Sequence, residues 1–155
     1  MCKDFDKSFH LMFLRRAVDL SRVSLASGGF PVAALLVKDG QEVAYGLSCT
    51  ETSKDITAHG EMQAIRTAGE SAVGPLTLYS SLEPCLMCLA ASAWAGVDRI
   101  VFACRRTVVD AAYYVNTVDA EDAAKILTAP PQFIYMDDLK DEVLALIREY
   151  ENRVP

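Results

Sequence analysis

Short apolar runs alternate with helix-period segments along most of this chain, and that order narrows the fold more than any other feature. Val32 to Val37 is a short apolar run, Lys38-Asp39-Gly40-Gln41 is turn chemistry, and Glu42 to Tyr45 returns as a second strand, which together predict a β-hairpin. After the hairpin, a helical pattern from His59 to Ala68 stops at Gly69 and is followed by a strand at Leu76–Ser80. A helix opening at Pro84 and ending at Gly96 comes next, then a strand at Arg99–Ala103, a helix around Ala120–Leu127, a short strand at Phe133–Tyr135 and a closing helix from Leu139 to Tyr150. Upstream, Phe5, Phe9, Met12, Phe13, Ala17 and Leu20 fall at helical spacing, with Gly28 and Gly29 ending that helix. This alternation predicts an α/β fold with a sheet covered on both faces and a site at the carboxyl ends of strands, beside helix N-termini. No repeat or linker interrupts it, so the 155 residues are expected to form one domain, 1–155.

Composition decides what the chain is not. With 52% hydrophobic and 23% charged residues it can build a core. Its longest apolar stretch, Leu86 to Val97, is about twelve residues, against the roughly twenty that a spanning helix needs. Met1 to Lys7 mixes charges and has no hydrophobic centre, so no secretory leader is expected. Five cysteines, an odd number, then read as reduced thiols in a cytoplasmic protein. The net charge is -6, and nine acidic against four basic residues from Asp119 onward carry most of it. Binding a polyanion relies on Lys and Arg, so this balance lowers the odds of a nucleic-acid partner without excluding one. Arg15, Arg16, Arg105 and Arg106 remain as basic patches.

Two segments carry chemistry. In Pro84-Cys85-Leu86-Met87-Cys88, residues three apart on a first helical turn can aim both sulfurs at one ion, and the helix N-terminus favours thiolate. In Thr57-Ala58-His59-Gly60-Glu61, His59 is the one plausible imidazole partner. His59, Cys85 and Cys88 make three ligands, which leaves a fourth zinc position for water. Glu61, two residues from His59, is placed to act as general acid and base on that water. A redox C-x-x-C pair, or a closed structural site completed by Cys49 or Cys104, stays open on these residues alone. The joint occurrence of H-x-E and P-C-x-x-C, in that order, is the signature of zinc nucleobase deaminases.

On these motifs the sequence resembles the cytidine/deoxycytidylate deaminase superfamily, in the branch of bacterial guanine deaminases and tRNA adenosine deaminases. The resemblance runs from about Pro31 to Phe102. Asp55-Ile56-Thr57-Ala58-His59-Gly60-Glu61 resembles the family's D-P-T-A-H-A-E, and Leu82-Glu83-Pro84-Cys85-Leu86-Met87-Cys88 its L-E-P-C-x-M-C. The resemblance implies a three-layer α/β/α fold with a five-stranded mixed sheet, usually as a homodimer or higher oligomer. It implies Zn2+ on His59, Cys85 and Cys88, zinc-hydroxide attack on the carbon bearing an exocyclic amine, and Glu61 as proton shuttle. Substrate residues follow from position in the pattern: Val32, Ser48, Gly60, Ser81, Trp94 and Asp119. Ser48 stands where the family usually has Asn, Ala33 replaces a glycine of the tRNA deaminases, and Val32 replaces an aromatic typical of guanine deaminases. Trp94 matches a guanine deaminase position, and Phe133-Ile134-Tyr135 resembles a tail segment near which C-terminal residues close over the site. A small nucleobase or amino-heterocycle is the expected substrate, with guanine first. The alternatives are tRNA adenosine, a cytosine- or cytidine-type substrate, or a catalytically silent zinc module serving oligomerisation.

Overall fold

The computed structural model describes residues 6–72 and 74–154; Cys2 and Phe5 lie outside them. Five strands, β1 (Ala33–Lys38), β2 (Gln41–Leu47), β3 (Leu76–Ser80), β4 (Val97–Phe102) and β5 (Gln132–Tyr135), form one sheet in the order β2-β1-β3-β4-β5. β1 runs antiparallel to both β2 and β3, while β3, β4 and β5 are mutually parallel, so the sheet is mixed as expected.

The register explains the apolar runs. Leu35, Tyr79, Val101 and Ile134 stand opposite one another across four strands, and their row packs with one core. The adjacent row, Leu36, Leu78, Ile100 and Phe133, packs with the second core on the other face. A strand buried on both faces has no polar side to show, which is why these segments read as continuous apolar runs. Helices α1 (Lys7–Ala26) and α6 (Lys140–Arg153) cover the first face; α3 (Gly60–Ala68), α4 (Leu86–Trp94) and the short α5 (Ala120–Ala123) belong to the second.

Boundaries moved for identifiable reasons. Asp6 caps α1 by accepting from the Phe9 amide at 2.9 Å. Asp39 and Gly40 both take positive φ (50° and 80°), so the hairpin closes through a two-residue turn of the primed type. α4 begins at Leu86 and not at Pro84, because Cys85 holds extended backbone (φ -71°, ψ 169°) as the helix cap. The expected helix from Ala120 to Leu127 is one turn of α5 followed by a 3-10 turn, Ala124–Ile126. A single-turn helix, α2 (Thr50–Ser53), was not foreseen. Among the described residues no helix is long and apolar enough to cross a membrane.

Candidate active site and metal centre

Two helix N-termini meet at one spot. His59 caps α3 and Cys85 caps α4, each in the same extended conformation that turns the side chain away from its helix axis. An Asx turn prepares the first of them: Asp55 Oδ1 accepts from the Thr57 amide at 2.8 Å and from its hydroxyl at 2.7 Å. α3 also lies hard against the hairpin. A Cβ on Gly46 would collide with the Gly60 carbonyl and the Ala64 amide, and one on Gly60 would come 2.9 Å from Ala33 Cα. Glycine at both positions is what lets the His59–Glu61 turn seat on the sheet.

The result is a triangle. Cys85 Sγ and Cys88 Sγ are 3.6 Å apart, and each is 3.6 Å from His59 Nδ1. A tetrahedral zinc about 2.3 Å from sulfur and about 2.0 Å from nitrogen requires edges of roughly 3.5–3.8 Å, so the donor set fits the ion in kind and in spacing. Among the described residues the cluster stops at these three. Cys49 instead accepts from Gln63 Nε2, and Cys104 turns toward the Arg105 carbonyl, so neither supplies a fourth ligand.

The three donors share their protons: the hydrogen bond with Cys88, aided by His59, draws the Cys85 thiol down to about 4, and the same bond pushes Cys88 up. His59 is raised, first by its hydrogen bond to Cys85. A divalent ion is what would let both sulfurs be thiolates together. Glu61 is buried beside them, its Oε1 accepting from Ser80 Oγ at 3.1 Å and its Oε2 lying 3.5 Å from Cys88 Sγ. Burial, and then the charge on Cys85, raise its pKa.

Above the triangle is a cavity lined by Val32, Ser48, Gly60 and Leu82, by the aromatic rings of Phe30, Tyr113, Tyr114 and Tyr150, and by Glu51. Ser24 Oγ donates to both the Phe30 carbonyl (2.8 Å) and the Ser48 carbonyl (2.7 Å), which fixes one wall. Phe30 meets Tyr113 at 4.5 Å and Tyr150 at 5.2 Å between ring centroids, so α6 closes over the site of its own chain. Of the residues singled out in the sequence, Val32, Ser48 and Gly60 line this cavity. Ser81 lies behind the wall, hydrogen-bonded to Ser21 Oγ and the Ala33 amide. Asp119 pairs with Arg106 at 3.0 Å, and Trp94 is 91% exposed at the end of α4; neither lines the cavity. Arg105 stacks on Tyr135, 4.4 Å from its ring centre.

Sequence reasoning missed Phe30, Glu51, Tyr150 and the structural part played by Glu83. The last is fully buried, its two carboxylate oxygens accepting from the Ala120 amide (2.7 Å) and the Arg106 amide (3.0 Å). Its own carbonyl accepts from Tyr114 Oη at 2.6 Å. One residue thus ties the metal segment to the loop that supplies two cavity tyrosines. Its place inside the Leu82–Cys88 motif was the available signal.

Fold and site together define a zinc-binding deaminase domain. The family model for the cytidine and deoxycytidylate deaminase zinc-binding region matches residues 7–104, and the chain belongs to this family. A guanine deaminase of Bacillus subtilis is 43% identical over 103 residues, covering 63% of this chain and 66% of its own length. A tRNA-specific adenosine deaminase of Buchnera aphidicola is 34% identical over 94 residues, covering 58% of each chain. The aligned stretches therefore span less than two thirds of these curated relatives. A solved guanine deaminase from Nitrosomonas europaea superposes with a TM-score of 0.78 at 25% identity, covering 90% of this chain and 83% of its own.

Proposed function

We propose that residues 1–155 act as one zinc-dependent aminohydrolase domain converting a free nucleobase, guanine in the first place, to the ring carbonyl compound and ammonia. The observation that carries this reading is the cavity itself. It opens on the ligand triangle and Glu61, its walls are rich in aromatic rings, its charged residues are the carboxylates Glu51, Glu61 and Glu83, and among the described residues no Lys or Arg lines it. Such a lining suits a neutral, flat, donor-rich ring and disfavours a phosphate backbone. The 43% identity to a guanine deaminase, and a solved relative in complex with 8-azaguanine, support a purine-sized ligand.

His59 Nδ1, Cys85 Sγ and Cys88 Sγ would hold the zinc, which supplies, when bound, a water acidified to a pKa of about 7. Everything else falls to this chain's own groups. Ser80 fixes Glu61 Oε1, and Oε2, 3.5 Å from Cys88 Sγ on the metal side, would take one proton from water to a ring nitrogen and a second to the departing amine. Water adds across the carbon–amine bond and ammonia leaves, so guanine and water give xanthine and ammonia. Phe30, Tyr113, Tyr114 and Tyr150 would cover the ring and exclude bulk water, with Val32, Ser48 and Gly60 completing the lining.

Ammonia release from guanine, adenine, cytosine, their nucleosides and an anticodon stem-loop RNA tests the substrate. Guanine is expected to lead, and inosine formed in the RNA would move the chain to tRNA editing. Glu61→Gln is expected to keep zinc and lose at least ~10²–10⁴-fold in turnover; a variant retaining most of its activity would remove Glu61 from its role. Four free thiols among the described residues support a reducing, cytoplasmic setting. Self-association is expected on the apolar face of α4 that carries Trp94, and mass in solution checks it.

A further inference from the structure

One cavity residue has no part in the chemistry just described. Glu51, on the single-turn helix α2, is exposed and lines the mouth of the cavity. Its carboxylate is held by two long-range contacts: Oε1 accepts from Tyr150 Oη at 3.0 Å and Oε2 from the Phe30 amide at 3.3 Å. Partial burial of the carboxylate works against its charge. Hydrogen bonds from its own backbone amide, Thr50, Tyr150 and Phe30 outweigh that and keep its pKa below the ordinary value. Each carboxylate oxygen has two acceptor sites, so both retain capacity after these contacts. Among the described residues no Lys or Arg lines the cavity to satisfy it. The lining thus presents two carboxylate acceptors besides the buried Glu83, Glu61 beside the metal donors and Glu51 at the mouth.

We propose that Glu51 is a specificity-determining residue that accepts a hydrogen bond from the imidazole-ring N–H of the base. This rests on the free-base reading above. A free purine carries such an N–H on its imidazole ring, and glycosylation or methylation there removes it. A ligand lacking the donor leaves that carboxylate without a partner on its cavity side, a loss by which polar sites discriminate. The same charge repels a phosphate at the mouth, so nucleotides are disfavoured as well.

Equilibrium binding of guanine and of 9-methylguanine to the zinc-loaded protein tests the assignment. Glu61→Gln is present in every arm so that no ligand is consumed. The added methyl claims the same space in every variant, so the ratio of the two affinities isolates the donor. Glu51→Gln is expected to weaken guanine by roughly 10- to 100-fold, as for a hydrogen bond to a charged group. It should leave 9-methylguanine within about a factor of two of its parent value. Tyr150→Phe controls for a merely structural effect: it frees the carboxylate from its strut and should move both ligands alike. If Glu51→Gln lowers both affinities equally, or neither, the assignment is overturned while guanine turnover by the wild-type protein still stands. If the wild-type protein releases no ammonia from guanine but the ratio shifts as expected, the substrate reading fails and Glu51 keeps its place. Binding of neither base overturns both.

Discussion

Gly60 lies against strand backbone between His59 and Glu61, and its replacement by alanine is the sharpest test of how the site is held. The new Cβ would lie 2.9 Å from Ala33 Cα and 3.2 Å from the Ala33 carbonyl carbon and the Ala34 amide nitrogen. Carbon atoms rest about 3.5–4.0 Å apart, so the shortfall is about 0.6–1.1 Å, and the opposing atoms are strand backbone that no rotamer change can move. The start of α3 must lift. Replacing a helical glycine returns about 0.5–1 kcal/mol in backbone entropy, against about 1–3 kcal/mol for overpacking. The expected balance is a loss of about 1–2 kcal/mol, or roughly 2–8 °C in Tm for a chain of this size. Activity should suffer more, because His59 and Glu61 flank the lifted residue, and a misplacement of about 1 Å can reduce turnover ~10²-fold.

The family motif that this chain resembles has Ala at position 60, and the tRNA deaminases have Gly at position 33, the reverse of what stands here. Ala33 packs with the core on the α1 face, so its methyl holds β1 toward α3. Ala33→Gly should let the strand recede and make room for Ala at position 60. The double variant is therefore expected to recover stability and turnover relative to the sum of the singles, with a coupling above ~0.5 kcal/mol. Thermal unfolding and ammonia release on the four proteins measure it. Additive losses, or a Gly60→Ala protein as stable and active as the parent, would refute the steric account.

Other expectations follow from neighbouring parts of the molecule. Chelation should abolish ammonia release, expose two additional thiols to a thiol reagent, and lower Tm as a bound ligand's stabilisation is withdrawn, by about 4 kcal/mol at a thousand-fold excess over Kd; an unchanged thiol count would argue against Cys85 and Cys88 as ligands. Glu83→Ala strands two buried backbone amides and should cost about 2–5 kcal/mol, whereas Glu83→Gln keeps one acceptor and costs less, as read by denaturant midpoints. His10 is held neutral against Tyr79 Oη at 2.8 Å, its pKa lowered from 6.5 by burial and then by Arg99. The unfolded chain binds the extra proton first, so this contribution is full above pH 6.5 and declines as pH falls through that value and below it. Tm should drop from pH 7 toward pH 5, less so in His10→Gln; identical slopes would remove His10 from the account.

What could be read in the sequence was whatever local chemistry determines. Asp39-Gly40 announced its turn because few other residues tolerate two successive positive φ values. The apolar runs announced a sheet buried on both faces, and the spacing of His59, Glu61, Cys85 and Cys88 placed the floor of the site. The helix start at Pro84 was misplaced because a metal-ligand geometry at Cys85 overrides the preference of proline for the first helical position. The rest of the mouth was not legible. Phe30, Glu51 and Tyr150 come from three separate segments with no shared period, and only tertiary packing makes neighbours of residues about 120 positions apart. Trp94 shows the converse, a position matched in the pattern that the fold turns outward.

The closing of the cavity by α6 has a consequence for how proteins of this kind diverge. The three candidate metal donors and Glu61 fall within 7–104, the span the family model matches, and so do Phe30, Val32, Ser48 and Glu51, while Tyr113, Tyr114 and Tyr150 fall beyond it. The cavity wall is therefore shared between the matched span and the stretch that follows it. Exchange of the segment after residue 104 between relatives would be expected to replace part of that wall over unaltered metal donors, and drift there would retune ligand fit without disturbing them.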